Sequence, residues 1–337
     1  MRNNRCDGLH SASGTLVGFR DLTSSGEGYV IVRKVVGWLL LFLGAFLVVA
    51  SVVALVWAPD AAERTPLNVN TYTYLTGQAD KLNPATGELE TVPVAYRSLT
   101  QADPDKSDSD VVVFVNTKCV NIDRGDPPPC LDENDPRLIT NSIDTFATDR
   151  HTAMAVNDEK YLAEDSVPHE GLVNKWPFNA EKKTYPYWDG TLDKAVDATY
   201  VGTKDYDGLQ TYEYAVEVPE TEAEVVEGTQ GTYAAQQSIW IDPRTGSIID
   251  QSGGEIRKLA DGTTILDIEV AYTDDTVADN VSKAKDSIRT LDILTKYGPP
   301  IAGILGLAML IGGALVLRRR PSSDEGVSEE RVPAASA

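Results

Sequence analysis

The sequence predicts an α+β membrane protein, in which a mainly antiparallel β domain lies outside the membrane between two transmembrane α-helices. Three observations support this prediction. Residues 35–58 and 301–317 are apolar runs without an ionisable side chain. The region between them is acidic and alternates runs of Val, Tyr and Thr with turn-forming residues, which is typical of strands. Positively charged residues flank both apolar runs on the sides that face away from this region.

The first apolar run, residues 35–58, is long enough to cross a membrane. At about 1.5 Å per residue, a helix of this length spans about 36 Å, and a hydrocarbon core is about 30 Å thick. Trp38 and Trp57 lie near its two ends, where amphipathic rings favour the membrane interface. A cleaved signal peptide is the alternative, although its apolar region is normally about 7–15 residues long.

The second span is predicted at residues 299–317, and the charges beside both spans predict their orientation. Arg33 and Lys34 precede the first span, and Arg318–Arg320 follow the second. Positive residues near the ends of a span remain on the cytoplasmic side. We therefore predict a multi-pass protein of the plasma membrane, with both termini in the cytoplasm and residues 59–298 outside.

Small residues recur at four-residue spacing in both predicted spans, in the pairs Ala50 and Ala54, Ala302 and Gly306, and Ala308 and Gly312. Such pairs let helix backbones approach closely in lipid, which favours pairing of the two spans within one chain. The alternative is that Ala and Gly are simply common in membrane helices.

The two ends of the chain are predicted to form a cytoplasmic arm, residues 1–34, and a disordered cytoplasmic tail, residues 318–337. The arm is rich in Asn, Ser, Gly and Arg and has no sustained hydrophobic period. A mis-assigned start is the alternative. Gly26–Gly28 would be encoded by purine-rich codons that resemble a ribosome-binding site, and translation would then begin at Val30 or Val32.

The predicted outside region, residues 59–298, contains 21 Lys and Arg against 44 Asp and Glu, a net charge of −23. A surface this negative repels the phosphate backbone of nucleic acids, and the sequence contains no basic stripe that would bind it. Nucleic acid is therefore excluded as a partner. The membrane is the first partner that the sequence predicts.

Two turns that share the pattern Asn/Asp-Pro-x-Thr-Gly predict hairpins between antiparallel strands: Asn83–Leu89 and Asp242–Ile248. In each, Asn or Asp can accept a hydrogen bond from the following backbone, Pro fixes φ, and Gly accepts a positive φ.

A juxtamembrane helix is predicted from Thr276 to Tyr297, directly before the second span. Asp274, Asp275 and Thr276 offer capping side chains at its start, and Gly298-Pro299 is predicted to end it. Its apolar residues recur at spacings of three and four and therefore share one helix face: Val277, Val281, Ala284, Ile288 and Leu291. This face favours packing on the helix's own domain, with a partner or the membrane surface as the alternative.

Cys119 and Cys130 both fall in the predicted outside region. An oxidising compartment favours a disulfide between them, and closing a loop of about a dozen residues contributes about 3 kcal/mol. Metal binding is a poor alternative because the two thiols have no histidine nearby in the sequence.

The sequence contains no motif that predicts catalysis. A Gly-x-Ser-x-Gly elbow, a paired-histidine zinc motif, a Cys-x-x-Cys pair and a phosphate-binding loop are all absent from it. We therefore predict a non-enzymatic protein without catalytic residues, a cofactor or a metal.

Five aromatic residues lie within the 13 positions from Trp176 to Trp188. Such a cluster can line a groove for a lipid tail or a sugar ring, and nearby lysines could meet an anionic head group. The candidate groove residues are Trp176, Phe178, Tyr185, Tyr187, Trp188, Lys182 and Lys183. The alternative is that the rings anchor a loop-rich stretch onto the core.

Several features together resemble the actinobacterial family catalogued as porin PorA, which was long a domain of unknown function. They are the stretch KWPFNAEKKTYPYWD, the later IWIDPRTGSIID, the Cys119 and Cys130 loop and the two spans. The resemblance covers about residues 30–318. It implies a cell-envelope protein and supplies no catalytic residues.

Two functions are predicted from the sequence. The first is a membrane-tethered protein whose outside domain binds a lipid, a glycan or an envelope protein. The alternative, which the family resemblance implies, is a porin or channel subunit. Two helices do not enclose a water-filled pore, so a porin would require several copies or a barrel that the strand pattern does not predict.

Overall fold

The computed structural model describes residues 25–125, 130–132, 134–164 and 166–319. Residues 1–24 of the predicted arm, with Cys6, and residues 320–337 of the predicted tail lie outside the described residues. The chain divides into two compact units, Met1–Val52 with Ile301–Ala337 and Val53–Pro300.

The elements follow the predicted order of a helix, a run of strands and further helices. Helix α1 spans Ser25–Ala62. The strands are β1 (Asn70–Leu82), β2 (Leu89–Asp103), β3 (Val111–Ile122), β4 (Leu138–Asp149), β5 (Tyr185–Asp189), β6 (Lys194–Tyr206), β7 (Leu209–Val226), β8 (Thr229–Ile241), β9 (Ile248–Leu259) and β10 (Thr264–Tyr272). The last elements are α2 (Asp274–Asp292), a π-helical turn (Ile293–Tyr297) and α3 (Gly298–Arg318).

By length and composition, the described part of the chain contains two helical stretches that could cross a membrane. Helix α1 begins before the predicted start of the first span. The prediction that Gly298-Pro299 ends a helix was wrong, because α3 begins at Gly298 and carries the proline in its first turn. The amide of Gly298 donates to the carbonyl of Ile293, so the helix continues from the π-helical turn into α3 through this proline.

The ten strands form one antiparallel sheet in the order β4-β3-β2-β1-β10-β9-β8-β7-β6-β5. The sheet is therefore two meanders, β1–β4 and β5–β10, joined where β1 pairs with β10. It curves into a half-barrel. Near one end, isolated bridges link the outer strands β4 and β5 through the intervening loop: Thr148 with Ala155, Met154 with Leu172, and Leu172 with Tyr187. The predicted antiparallel β region is confirmed.

Both predicted hairpin turns are confirmed. Gly87 and Gly246 have φ values of 73° and 74°. The amide of Gly87 donates to the carbonyl of Asn83 at 2.8 Å, and that of Gly246 to the carbonyl of Asp242 at 2.8 Å. Strand β5 was not predicted, because it lies inside the aromatic stretch that was interpreted as loop-rich.

Helix α2 packs its apolar face on strands of the sheet. Val281 and Ala284 are buried with Leu209 of β7 and Ile249 of β9. The capping residue is Thr273, whose hydroxyl accepts a hydrogen bond from the amide of Thr276. Thr273 lies just before the residues that were predicted to cap the helix.

The predicted disulfide between Cys119 and Cys130 is present, with 5.5 Å between the two Cα atoms. It ties β3 to the loop that follows this strand. Cys119 is buried.

Candidate functional site

The two apolar helices pack against each other through glycines. A Cβ atom at Gly44 would lie 2.7 Å from the carbonyl oxygen of Gly306, and one at Gly313 would lie 2.9 Å from the carbonyl oxygen of Gly37. The outward faces are apolar; Phe42 is 71% and Ile304 66% exposed. Backbones in such contact leave no room for a column of water between the helices.

The aromatic stretch places Trp176 and Tyr185 in the largest buried cluster of the β domain, with Tyr187 packed against it. Trp176 is 0% exposed. Its ring lies 5.3 Å from that of Tyr187 and 5.1 Å from that of Tyr214, measured between centroids. Tyr185 and Trp188 are also buried. These positions agree with the core-anchor interpretation for Trp176, Tyr185 and Trp188.

The two candidate lysines of this stretch are exposed and have local partners. The ammonium nitrogen of Lys182 lies 5.1 Å from the ring centroid of Tyr212. The ammonium of Lys183 forms an ion pair with Glu181 at 2.6 Å and lies 5.2 Å from the ring centroid of Tyr185. Lys183 therefore stays beside Tyr185, one of the rings with which the sequence grouped it, and Lys182 lies over a tyrosine of β7 instead.

Lys175 is a half-buried cation that sequence analysis did not single out. Its ammonium nitrogen lies 3.2 Å from the hydroxyl oxygen of Thr65 and 3.9 Å from the ring centroid of Phe178. Burial lowers the pKa of Lys175 to about 7, and the carboxylate of Asp242 opposes the shift. A positive charge beside Trp176, inside an aromatic run, was the signal available in the sequence.

Tyrosines and one ion pair meet on the concave face of the sheet. Electrostatic interactions couple Tyr187 of β5 to Tyr96 of β2 and Tyr272 of β10, so the curvature brings distant strands together. Burial raises the pKa of Tyr187 to about 12. Burial also raises the pKa of Glu255, and Arg257, which bonds it at 2.8 Å, opposes that shift. This face offers hydroxyl groups, aromatic rings and an ion pair.

A cavity of about 680 Å³ lies between helix α2 and the outer face of the sheet. The ammonium of Lys204 lies 4.3 Å from the ring centroid of Tyr206 and 4.6 Å from that of Trp240. The hydroxyl of Tyr206 donates to Asp250 at 2.6 Å. The indole nitrogen of Trp240 has no hydrogen-bond partner among the described residues. We call this cavity the α2 groove.

Arg244 connects three parts of the β domain. Its guanidinium bonds Glu63, just after α1, at 2.6 Å and the side chain of Asn179 at 2.7 Å. It also reaches Thr295, in the π-helical turn, at 3.3 Å and Asp292, at the end of α2, at 3.9 Å. Arg244 lies in the second of the two predicted turns, but the turn pattern does not reveal these contacts.

Comparison with known proteins places these features in a family. The family model described as Porin PorA matches residues 36–315. A porin PorA of Corynebacterium amycolatum is 30% identical over 101 residues, which cover 26% of this chain and 26% of that protein. A porin PorA of Corynebacterium resistens is 21% identical over 301 residues, which cover 60% of this chain and 73% of that protein. The match therefore spans about a quarter of the first relative's length. The chain belongs to the porin PorA family.

Proposed function

We propose that this chain is a subunit of an oligomeric porin in a bacterial cell envelope. Membership of the porin PorA family supports this function over the binding role that was the first prediction. The observation that specifies an oligomer is the glycine-to-glycine contact of α1 with α3, which leaves no space between them. A water-filled path then requires helices from several chains, whose exposed apolar faces are free to meet lipid or one another.

The orientation belongs to the same proposal. Arg33 and Lys34 before the first span, and Arg318–Arg320 after the second, favour cytoplasmic ends. The acidic β domain would then lie on the outer side of the membrane. A net charge of −23 over residues 59–298 concentrates cations there, so we expect the channel to prefer cations.

Conductance of the purified full chain in planar lipid bilayers tests this function. We expect discrete current steps and, under a KCl gradient, a reversal potential whose sign shows cation preference. The same detergent extract without the chain is the control. Bilayers that stay silent with verified insertion of the chain would contradict the porin proposal, and anion preference would contradict the role of the acidic domain.

A second function is supported by the α2 groove. A cavity of about 680 Å³ is within the size range of small-molecule sites, and it combines aromatic rings with a lysine and a carboxylate. We propose that this groove binds a lipid or a glycan of the envelope, without catalysis. The groove and a channel are compatible in one protein.

Native mass spectrometry of the full chain, purified in mild detergent, tests this binding role. We expect an adduct of lipid or sugar mass that is reduced in Trp240→Ala while the melting temperature changes little. Trp176→Ala is the matched comparison, because a fully buried Trp typically costs about 3–5 kcal/mol when truncated. If Trp240→Ala keeps the adduct at the wild-type level, the proposal that the α2 groove binds this ligand is contradicted.

A further inference from the structure

An open cavity of about 500 Å³ lies beside the C-terminal half of helix α2, and it shares no lining residue with the α2 groove. Its apolar wall is formed by Leu209 of β7, Ile288 of α2, and Ile293 and Tyr297 of the π-helical turn. Leu209 is buried, and Ile288 packs against the same cluster. Ile293 and Tyr297 are each 51% exposed, so this end of the wall is open to the surroundings. We call this site the π-turn cavity.

The π-helical turn brings the cavity next to the predicted second span. The amide of Gly298 donates to the carbonyl of Ile293, five residues earlier, as in a π-helix. Because such a turn contains more residues than an α-helical turn, Tyr297 comes round to the side of the helix that carries Arg289 and Ile293. Tyr297 lies two positions before the predicted span, residues 299–317, and tyrosine rings favour the membrane interface. The open end of the cavity therefore adjoins the layer of lipid head groups.

The charged groups of the cavity differ in whether they have a partner. The ammonium of Lys285 forms an ion pair with the carboxylate of Asp207 at 2.9 Å. The carboxylate of Asp292 lies 3.9 Å from the guanidinium of Arg244, which balances its charge. The guanidinium of Arg289 has no ion pair or hydrogen bond within the part of the chain that the structure describes. Arg289 is therefore the cation of this cavity that is available to a ligand.

An unpaired guanidinium beside an apolar wall matches the chemistry of an anionic phospholipid. The planar fork of arginine can donate to two oxygens of one phosphate group. Ile293 and Tyr297 offer apolar surface to the glycerol and the upper part of an acyl chain. The net charge of −23 over residues 59–298 repels soluble polyanions, whereas a lipid is held beside the cavity by the membrane itself.

We propose that the π-turn cavity binds an anionic phospholipid of the leaflet on the β-domain side, with its phosphate held by Arg289. The inference goes beyond the proposed porin function and the α2 groove. It requires that the second span lies in a membrane, and it does not require that the chain conducts ions.

Native mass spectrometry of the full chain, released from nanodiscs of phosphatidylcholine with a minor fraction of phosphatidylglycerol, tests this site. We expect the wild type to retain phosphatidylglycerol in preference to phosphatidylcholine. Arg289→Gln should lower this retention at least about ten-fold, the usual effect of losing a hydrogen bond to a charged group. Arg289→Lys should restore part of it, because lysine keeps the charge and loses the planar fork.

Two control variants remove the same charge outside the cavity. Lys283→Gln changes an exposed lysine of α2 that is paired with Asp279 at 2.6 Å. Lys296→Gln changes a lysine of the π-helical turn that lies 5.2 Å from the ring centroid of Tyr297 and does not line the cavity. Both controls should retain phosphatidylglycerol at the wild-type level.

The proposal is overturned if Arg289→Gln retains as much phosphatidylglycerol as the wild type. It is also overturned if Lys296→Gln lowers the retention as strongly as Arg289→Gln, because general attraction to interfacial cations would then explain the binding. Inorganic phosphate is the second probe, added to the full chain in detergent without lipid. If phosphate raises the melting temperature of the wild type as much as phosphatidylglycerol does, and Arg289→Gln abolishes both effects, the ligand is a soluble anion and the lipid proposal fails. None of these outcomes decides the porin function, which the bilayer conductance tests separately.

Discussion

The charged side chain of Lys175 is half-buried in the β domain, and this burial lowers the stability of the folded protein. Its ammonium contacts the hydroxyl of Thr65 and the face of Phe178, and neither carries the full negative charge that would replace lost hydration. Burial therefore lowers its pKa to about 7, from 10.5. Between these two values the unfolded chain binds a proton that the folded chain does not. Stability then rises with pH across this window, and the cost is complete below pH 7.

Lys175→Met should raise the melting temperature at pH 6, because methionine keeps the length of the side chain without the desolvated charge. The gain should shrink as the pH approaches 10.5, where the wild-type lysine is neutral in both states. Thermal unfolding of the full chain in detergent at pH 6, 8 and 10 measures this. Lys183→Met, at an exposed lysine paired with Glu181, is the control and should show no gain at pH 6. A Lys175→Met variant that is less stable than the wild type at every pH would refute the expectation.

At the residue scale, the sequence predicted which side chains react or cluster better than it predicted where they lie in the fold. The Cys119–Cys130 pairing followed from the compartment and the spacing, and the structure contains it. The aromatic stretch was recognised, but Trp176 lies in the core because β7 and β8 surround it, and those strands are distant in sequence. Lys175 and Arg244 were not singled out, because their partners come from segments that local patterns do not connect.

At the scale of elements, the contact between α1 and α3 depends on particular glycines. A Cβ at Gly306 would lie 2.8 Å from the carbonyl oxygen of Gly44, and that backbone cannot move aside without separating the helices. A Cβ at Gly312, on the same helix, would meet nothing within 4 Å. The chain therefore contains its own matched pair for testing the role of close approach.

Gly306→Leu should destabilise the helix pair by about 1–3 kcal/mol, the usual cost of overpacking a close contact. Gly312→Leu should stay within about 0.5 kcal/mol of the wild type, as exposed substitutions usually do. Unfolding of the full chain in detergent, followed by tryptophan fluorescence with Trp38 as a reporter in α1, measures both. Equal effects of the two substitutions would show that the glycine contact is not what holds the helices together.

Elements with a strong local signal were predictable, and elements defined by tertiary context were not. The two apolar runs and both proline–glycine turns carry their structure in their own residues. Strand β5 is only five residues long and becomes a strand because β6 lies beside it. Gly298-Pro299 is a helix stop by local rules, but the preceding π-helical turn leads directly into α3, and the amide of Gly298 still bonds the carbonyl of Ile293, so the helix continues past the proline.

At the scale of the whole molecule, the distribution of charge sets the expected topology. In a Cys6→Ser background, with Cys119 and Cys130 joined, single cysteines introduced at Ser252 and Ser322 can report on opposite sides of the membrane. We expect a membrane-impermeant thiol reagent to label the cysteine at position 252 in intact cells and the one at 322 after lysis. Labelling of position 322 but not 252 in intact cells would reverse the orientation.

The pairing of β1 with β10 has a consequence for how the chain is made. Among the described strands, this is the ladder that joins the two meanders, and Leu75 is paired with Tyr272 across it. Each meander can grow from local hairpins, but this seam closes a loop of almost the whole domain, and such non-local closure is slow. During synthesis, one edge of β1 therefore has no partner strand until β10 emerges. A chain arrested before Thr264 would leave the edge of β1 without its partner strand. The risk of aggregation through this edge therefore ends only when β10 has been exported, and not when β1 itself has folded.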